Sequence, residues 1–100
     1  MPLRTQYDFD LLVNIMEDIV IAELEMQLKL PEYKKVCRCQ ACILDIIAIT
    51  LNKVKPMYGS LHSFKGTMYK EHISEKSNAE VVHALKKAIE KVEKHPNCVN

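Results

Sequence analysis

The sequence predicts a mainly α-helical fold, a small domain of three main helices, and three observations carry that expectation. Two segments, about Asp8 to Leu30 and Ser77 onward, hold apolar residues at helical spacing. A third, about Ala41 to Val54, is apolar nearly all round, and the three segments stop at Pro31, Pro96 and Pro56 respectively. Proline lacks a backbone donor and pushes the residue before it out of helical geometry, so each one closes a helix. One hundred residues make one domain, residues 1–100, and are too few for two.

In the first segment Asp10, Asn14, Glu17, Asp18 and Glu25 share one face, at steps of three, four and seven. The rest of the circumference carries Phe9, Leu12, Ile15, Met16, Ile19, Val20, Leu24 and further apolar residues, a band wider than one core requires. Such a helix is expected to turn one side inward and another toward a second subunit. Thr5 and Asp8 resemble a capping box ahead of it. The connector from Glu32 to Gln40 is short and polar.

The second helix, ACILDIIAITLNKV, has the composition of a buried central element, with Asp45 and Asn52 seven residues apart on one side. Buried polar groups are normally paired, so these two are expected to be satisfied within the protein rather than to hold a ligand. Residues 55–77 contain both glycines, Gly59 and Gly66, and three scattered aromatics. That stretch reads as loop, with a hairpin or one short helix around Thr67 to Ser74.

The last helix carries its own start signal, Ser77 followed three residues later by Glu80. Val81, Val82, Leu85, Ala88, Ile89 and Val92 form its apolar stripe. Lys86, Lys87, Lys91 and Lys94 gather toward the C-terminal end, where the helix dipole favours positive charge.

Hydrophobic residues make up 48% of the chain, and 14 basic residues oppose 13 acidic ones, for a net charge of +1. Near-neutrality gives no broad drive toward DNA or an anionic membrane, so direct nucleic-acid binding is not expected. The N-terminus has no basic stretch followed by an apolar run. No apolar run reaches the roughly 18 residues of a membrane span. A cytoplasmic location is the expectation, and there cysteines serve as metal ligands or free thiols more often than as disulfides.

Cys37, Cys39 and Cys42 form a C-x-C-x-x-C run where the second helix begins. Thiolates at that spacing converge on one ion when the chain turns between them, and free N–H groups of a first helical turn stabilise negative sulfur. A structural zinc site needs four ligands. Cys98, just past Pro96, is the remaining cysteine and the favoured fourth ligand. His95 is a rival, and His62 and His72 are more distant ones. Zn2+ held this way would staple the loop and the C-terminal tail together. The bland alternative is three reduced thiols at a helix start. A redox role for Cys39-x-x-Cys42 lacks the alternating strand and helix context such motifs need.

The pattern Asn14-x-Met16-Glu17-x-x-Val20, then C-x-C-x-x-C, then Asp45-Ile46-x-Ala48-x-x-Leu51-Asn52, then Pro56-x-Tyr58 resembles the ComFB family. The likeness spans about Asn14 to Tyr58. It implies a small helical bacterial protein of the cytosol, a homodimer, with a cysteine-bound zinc in each subunit. It also implies a link to competence and DNA-uptake proteins. Some relatives are receptors for cyclic dinucleotides, chiefly cyclic di-GMP, so cyclic di-GMP or cyclic di-AMP becomes an expected ligand class.

Lys53, Lys55, Tyr58 and Tyr69, with Lys65 and Lys70 nearby, are the candidate ligand-binding residues, because rings stack on bases and lysines meet phosphates. A solvated polar loop explains the same composition. The histidines stand in no catalytic spacing with serine or carboxylate, and two glycines cannot build a phosphate loop. The sequence therefore predicts a non-catalytic protein.

Overall fold

In the computed structural model, residues 2–61, 75–96 and 98 are described. Among them are four α-helices and one small antiparallel sheet. In chain order these are α1 (Leu3–Gln6), β1 (Leu12–Asn14), α2 (Ile15–Gln27), α3 (Gln40–Leu51), β2 (Tyr58–Ser60) and α4 (Glu75–Lys94). Phe9–Leu11 and Pro31–Tyr33 add two 3-10 turns.

The fold is mainly helical, as expected, but the first helix is shorter at both ends than Asp8 to Leu30. Residues 12–14 are a strand, paired Leu12 to Ser60, Val13 to Gly59 and Asn14 to Tyr58. The helix starts only after Asn14, whose side chain caps it by accepting from Met16 N–H at 3.2 Å. The same Asn14 oxygen accepts from Met57 N–H at 2.7 Å, and Ile15 N–H donates to the Met57 carbonyl at 2.9 Å. One amide thus starts α2 and fixes the approach to β2.

Thr5 and Asp8 form no capping box for α2. Thr5 donates to the Pro2 carbonyl, and Asp8 caps the 3-10 turn by accepting from Asp10 N–H. At the other end Leu30 is extended because Pro31 follows it, and the last bonds tighten so that α2 stops at Gln27.

α3 matches its predicted span to within three residues and ends at Leu51, with Asn52 as its C-cap. Asn52 is exposed, so it meets solvent rather than a partner in the interior, while Asp45 is half-buried. Thr50 is fully buried and satisfies its hydroxyl on the Ile46 carbonyl at 2.8 Å.

α4 begins at Glu75, so Ser77 lies inside the helix and is not its N-cap. Its stripe is buried at Val81, Leu85, Ala88, Ile89 and Val92, and Val82 is half-buried. Of the stretch 55–77 in which a hairpin was expected, the described strand, β2, pairs with β1 across more than forty residues of intervening chain, and residues 62–74 lie outside the described residues. The short helix expected around Thr67 to Ser74 falls outside the described residues.

α3 packs most extensively against α4, and α2 lies across both. Val20, Cys42, Ile46, Leu85, Ala88 and Ile89 are wholly withdrawn from water at the centre. Burying one large aliphatic side chain stabilises by about 1.5–3 kcal/mol, so this three-helix contact is the main source of stability. Ile21 and Met26 on α2 and Leu44 on α3 remain exposed. No helix among the described residues is long and apolar enough to cross a membrane.

Candidate metal centre

The first turn of α3 is built from cysteine. Cys39 is the N-cap, in extended geometry, and its sulfur accepts from Cys42 N–H at 3.4 Å. Its carbonyl accepts from Ile43 N–H at 3.0 Å, so the backbone enters the helix while the sulfur stays at its mouth. Cys42, three residues on, points into the core and is fully buried. Donation from Cys42 N–H holds the Cys39 thiol below its usual range; burial opposes this, and bonds from the Cys42 side chain and Ala41 N–H assist it.

Cys37 is brought up by the turns that follow α2. Lys34, Val36 and the residues before them bond in 3-10 fashion, and Val36 and Tyr33 anchor the segment in the core. Arg38, between the first two cysteines, reaches back and donates to the Leu28 carbonyl at 2.7 Å and the Tyr33 carbonyl at 3.4 Å. Its guanidinium therefore sits at the C-terminus of α2, where unpaired carbonyls and the helix dipole favour a cation.

The fourth sulfur arrives from the far end of the chain. α4 ends at Lys94, and Cys98 follows Pro96 back to the start of α3. Its sulfur lies 3.8 Å from that of Cys39 and 3.4 Å from that of Cys42, and it is at disulfide contact with the sulfur of Cys37. All four sulfurs fall within 4.8 Å of one another.

A zinc ion bound to four thiolates at about 2.3 Å sets neighbouring sulfurs about 3.8 Å apart, close to the Cys39–Cys98 and Cys42–Cys98 separations. The Cα atoms of Cys37 and Cys98 are 7.2 Å apart. That separation exceeds the roughly 4.4–6.8 Å usual for a disulfide, whereas two neighbouring ligands of one tetrahedral ion span it readily. Four soft thiolates in a compact, partly buried cluster suit zinc better than a hard cation. Among the described residues the cluster consists of the four cysteines, and His95 is not part of it. His62 and His72 lie outside the described residues.

The predicted ligand-binding residues are less tightly grouped. Lys53 and Lys55 are exposed just past α3, and Tyr58 is exposed on β2. Tyr69, Lys65 and Lys70 lie outside the described residues. Lys53 and Lys55 line a cavity of about 670 Å³ between the end of α3 and α4, and Tyr58 does not. Its other wall is His83, Lys87 and Lys91 on α4, of which the sequence singles out the two lysines only for their place near the helix C-terminus. Their spacing of four was the available signal, since it sets them on one helix face.

The family model described as late competence development protein ComFB matches residues 13–96. Among solved structures, the late competence protein ComFB from Bacillus subtilis is similar, with a TM-score of 0.62 and 31% sequence identity. The match covers 86% of this chain and 94% of that one. Among curated proteins no sequence matches. The span matched by the family model holds Cys37, Cys39 and Cys42 and stops short of Cys98.

Proposed function

The chain belongs to the ComFB family of late competence proteins, and from that premise we propose that it is a small non-catalytic regulatory or adaptor protein organised by one structural zinc ion. The observation that carries this reading is the gathering of four cysteine sulfurs within 4.8 Å of one another. Zinc held by four protein ligands keeps no open position for water or substrate, so its role is to hold the fold. Cys37 and Cys98 are separated by 61 residues. Closing a loop of that length removes unfolded-state entropy equivalent to about 4 kcal/mol in the chain-entropy model. A chain of this size gains much from such a staple.

The working unit on this reading is a cytoplasmic homodimer. Support comes from the exposed apolar side chains Ile21, Met26 and Leu44, which a second subunit would cover. The test is native mass spectrometry of protein purified under reducing conditions, with metal analysis and a thiol count after denaturation in chelator. One zinc per chain and four thiols support the proposal. A metal-free protein with two thiols would instead mean a Cys37–Cys98 disulfide and would overturn it.

The regulatory input on this reading is a cyclic dinucleotide, cyclic di-GMP or cyclic di-AMP. The cavity of about 670 Å³ lined by lysines supports it, being of a size that small molecules occupy. The competing reading is a protein-interaction subunit linked to DNA uptake that takes no small molecule. Calorimetric titration with both nucleotides separates the two, since heat at micromolar ligand favours the receptor and none at saturation leaves the interaction subunit.

A further inference from the structure

We propose that the cysteine cluster is a peroxide-sensitive switch, in which oxidation joins Cys37 to Cys98 and releases the metal ion. This rests on the zinc reading above and goes beyond it, because it gives the four sulfurs unequal roles. Cys39 and Cys42 are fixed by the first turn of α3, through the bond from Cys42 N–H to the Cys39 sulfur. Cys42 is also fully buried. Cys37 and Cys98 belong to no helix, the one lying on the connector after α2 and the other on the tail beyond α4. Both have access to solvent, and theirs are the sulfurs at disulfide contact. An oxidant arriving from water therefore meets the two sulfurs that are placed to react with each other.

The backbone lets that bond close. The Cα atoms of Cys37 and Cys98 are 7.2 Å apart, just beyond the roughly 4.4–6.8 Å of a disulfide, so the chain has a short way to move. α4 ends at Lys94, with His95 N–H still donating to the Lys91 carbonyl, and Cys98 lies past that point. The tail can supply the movement without breaking a helical turn.

Hydrogen peroxide is a sufficient oxidant. The Cys98 thiolate attacks one peroxide oxygen; an S–O bond forms, the O–O bond breaks, and hydroxide leaves and is protonated to water. The Cys37 thiolate then attacks the sulfur of that sulfenic acid; the S–S bond forms, the S–O bond breaks, and a second hydroxide leaves as water. The two sulfurs give up two electrons and the peroxide accepts them. Cys39 and Cys42 remain, half of the four ligands that structural zinc needs, so the ion is lost. A dithiol reductant takes over the oxidation and returns both thiolates, to which zinc rebinds. In a reducing compartment the zinc form is the resting state and the disulfide is transient. Either form ties the tail to the start of α3, since the disulfide closes the same 61-residue separation. What changes is charge: zinc with four thiolates is negative, whereas a disulfide with two thiols is neutral.

The test treats the reduced, zinc-loaded full chain with one equivalent of hydrogen peroxide. A chromophoric chelator is expected to read one zinc released per chain, while the thiol count falls from four to two. Peptide mapping by mass spectrometry is expected to find Cys37 joined to Cys98, with Cys39 and Cys42 open to alkylation. Circular dichroism should keep its helical signal, and dithiothreitol with added zinc should restore the starting mass. Zinc and four thiols retained under a tenfold excess of peroxide overturn the inference while the zinc reading stands. So do any other pairing, oxygen-bearing sulfurs in place of the disulfide, or loss of the helical signal. A chain that carries no zinc when purified under reducing conditions fails the zinc reading itself, and the switch falls with it.

Discussion

The sulfur of Cys39, at the N-cap of α3, lies 3.8 Å from the sulfur of Cys98, which follows it by 59 residues. The tail beyond α4 is thereby held against the start of the central helix. Replacing Cys98 with serine is expected to remove tight metal binding and lower stability by about 2–5 kcal/mol, the scale of a lost covalent or metal staple. Chelator should destabilise the parent and leave the variant unmoved. Metal analysis and paired thermal melts check this, and a variant that keeps its zinc and its melting temperature would remove Cys98 from the site.

Asn14 serves two chain segments through one oxygen, accepting from Met16 N–H and from Met57 N–H. Asn14→Ala is expected to destabilise by about 1–2 kcal/mol, because a helix cap is lost and a strand-side donor is left unsatisfied. Asn14→Asp keeps the acceptor and should recover most of that loss. Urea unfolding of the three proteins measures it; if alanine and aspartate behave alike, the shared oxygen is not what joins these segments.

The parts of the fold that sequence reading recovered are those set by local pattern. The stripe from Val81 to Val92 and the all-apolar α3 announce themselves within a few turns, and their interiors were placed correctly. What escaped depends on distant partners. Leu12 to Asn14 fits a helix as well as a strand, and only pairing with Tyr58 to Ser60 decides between them. Pro31 bars the helix from continuing, yet α2 already ends at Gln27 because the turns before the proline tighten. The cysteine cluster was legible because thiol chemistry restricts what four such residues can do together. The cavity beside α4 was not, because lysines on a helix read first as solvated charge, and the opposing wall comes from another helix.

Arg38 ties the loop between the cysteines to the end of α2 through the Leu28 carbonyl. Both groups are near solvent, so water replaces the bond when it is lost, and Arg38→Ala is expected to cost only about 1 kcal/mol. Its more telling effect is on the metal. With the loop less restrained, zinc should exchange faster with a chromophoric chelator, while Arg38→Lys, which retains a donor, should exchange at an intermediate rate. Identical exchange rates for parent and alanine variant would show that the cluster is held without this contact.

Tyr33 links the same loop to the core, and its ring is buried. Burial raises its phenol pKa, and the charges of Glu32, Glu90 and Glu93 push in the same direction. The folded protein thus holds the proton at a pH where the unfolded chain, titrating near 10, has released it. Stability from this group is fully present below that value and is lost as pH rises from about 10 toward the higher folded value. Tyr33→Phe keeps the ring and has no proton to lose, so its stability should fall less steeply above pH 10, while the two proteins should differ little near pH 8. Urea denaturation at pH 8, 10 and 11 measures the slopes, and parallel slopes would mean that the phenol ionises as easily in the folded protein as in the unfolded chain.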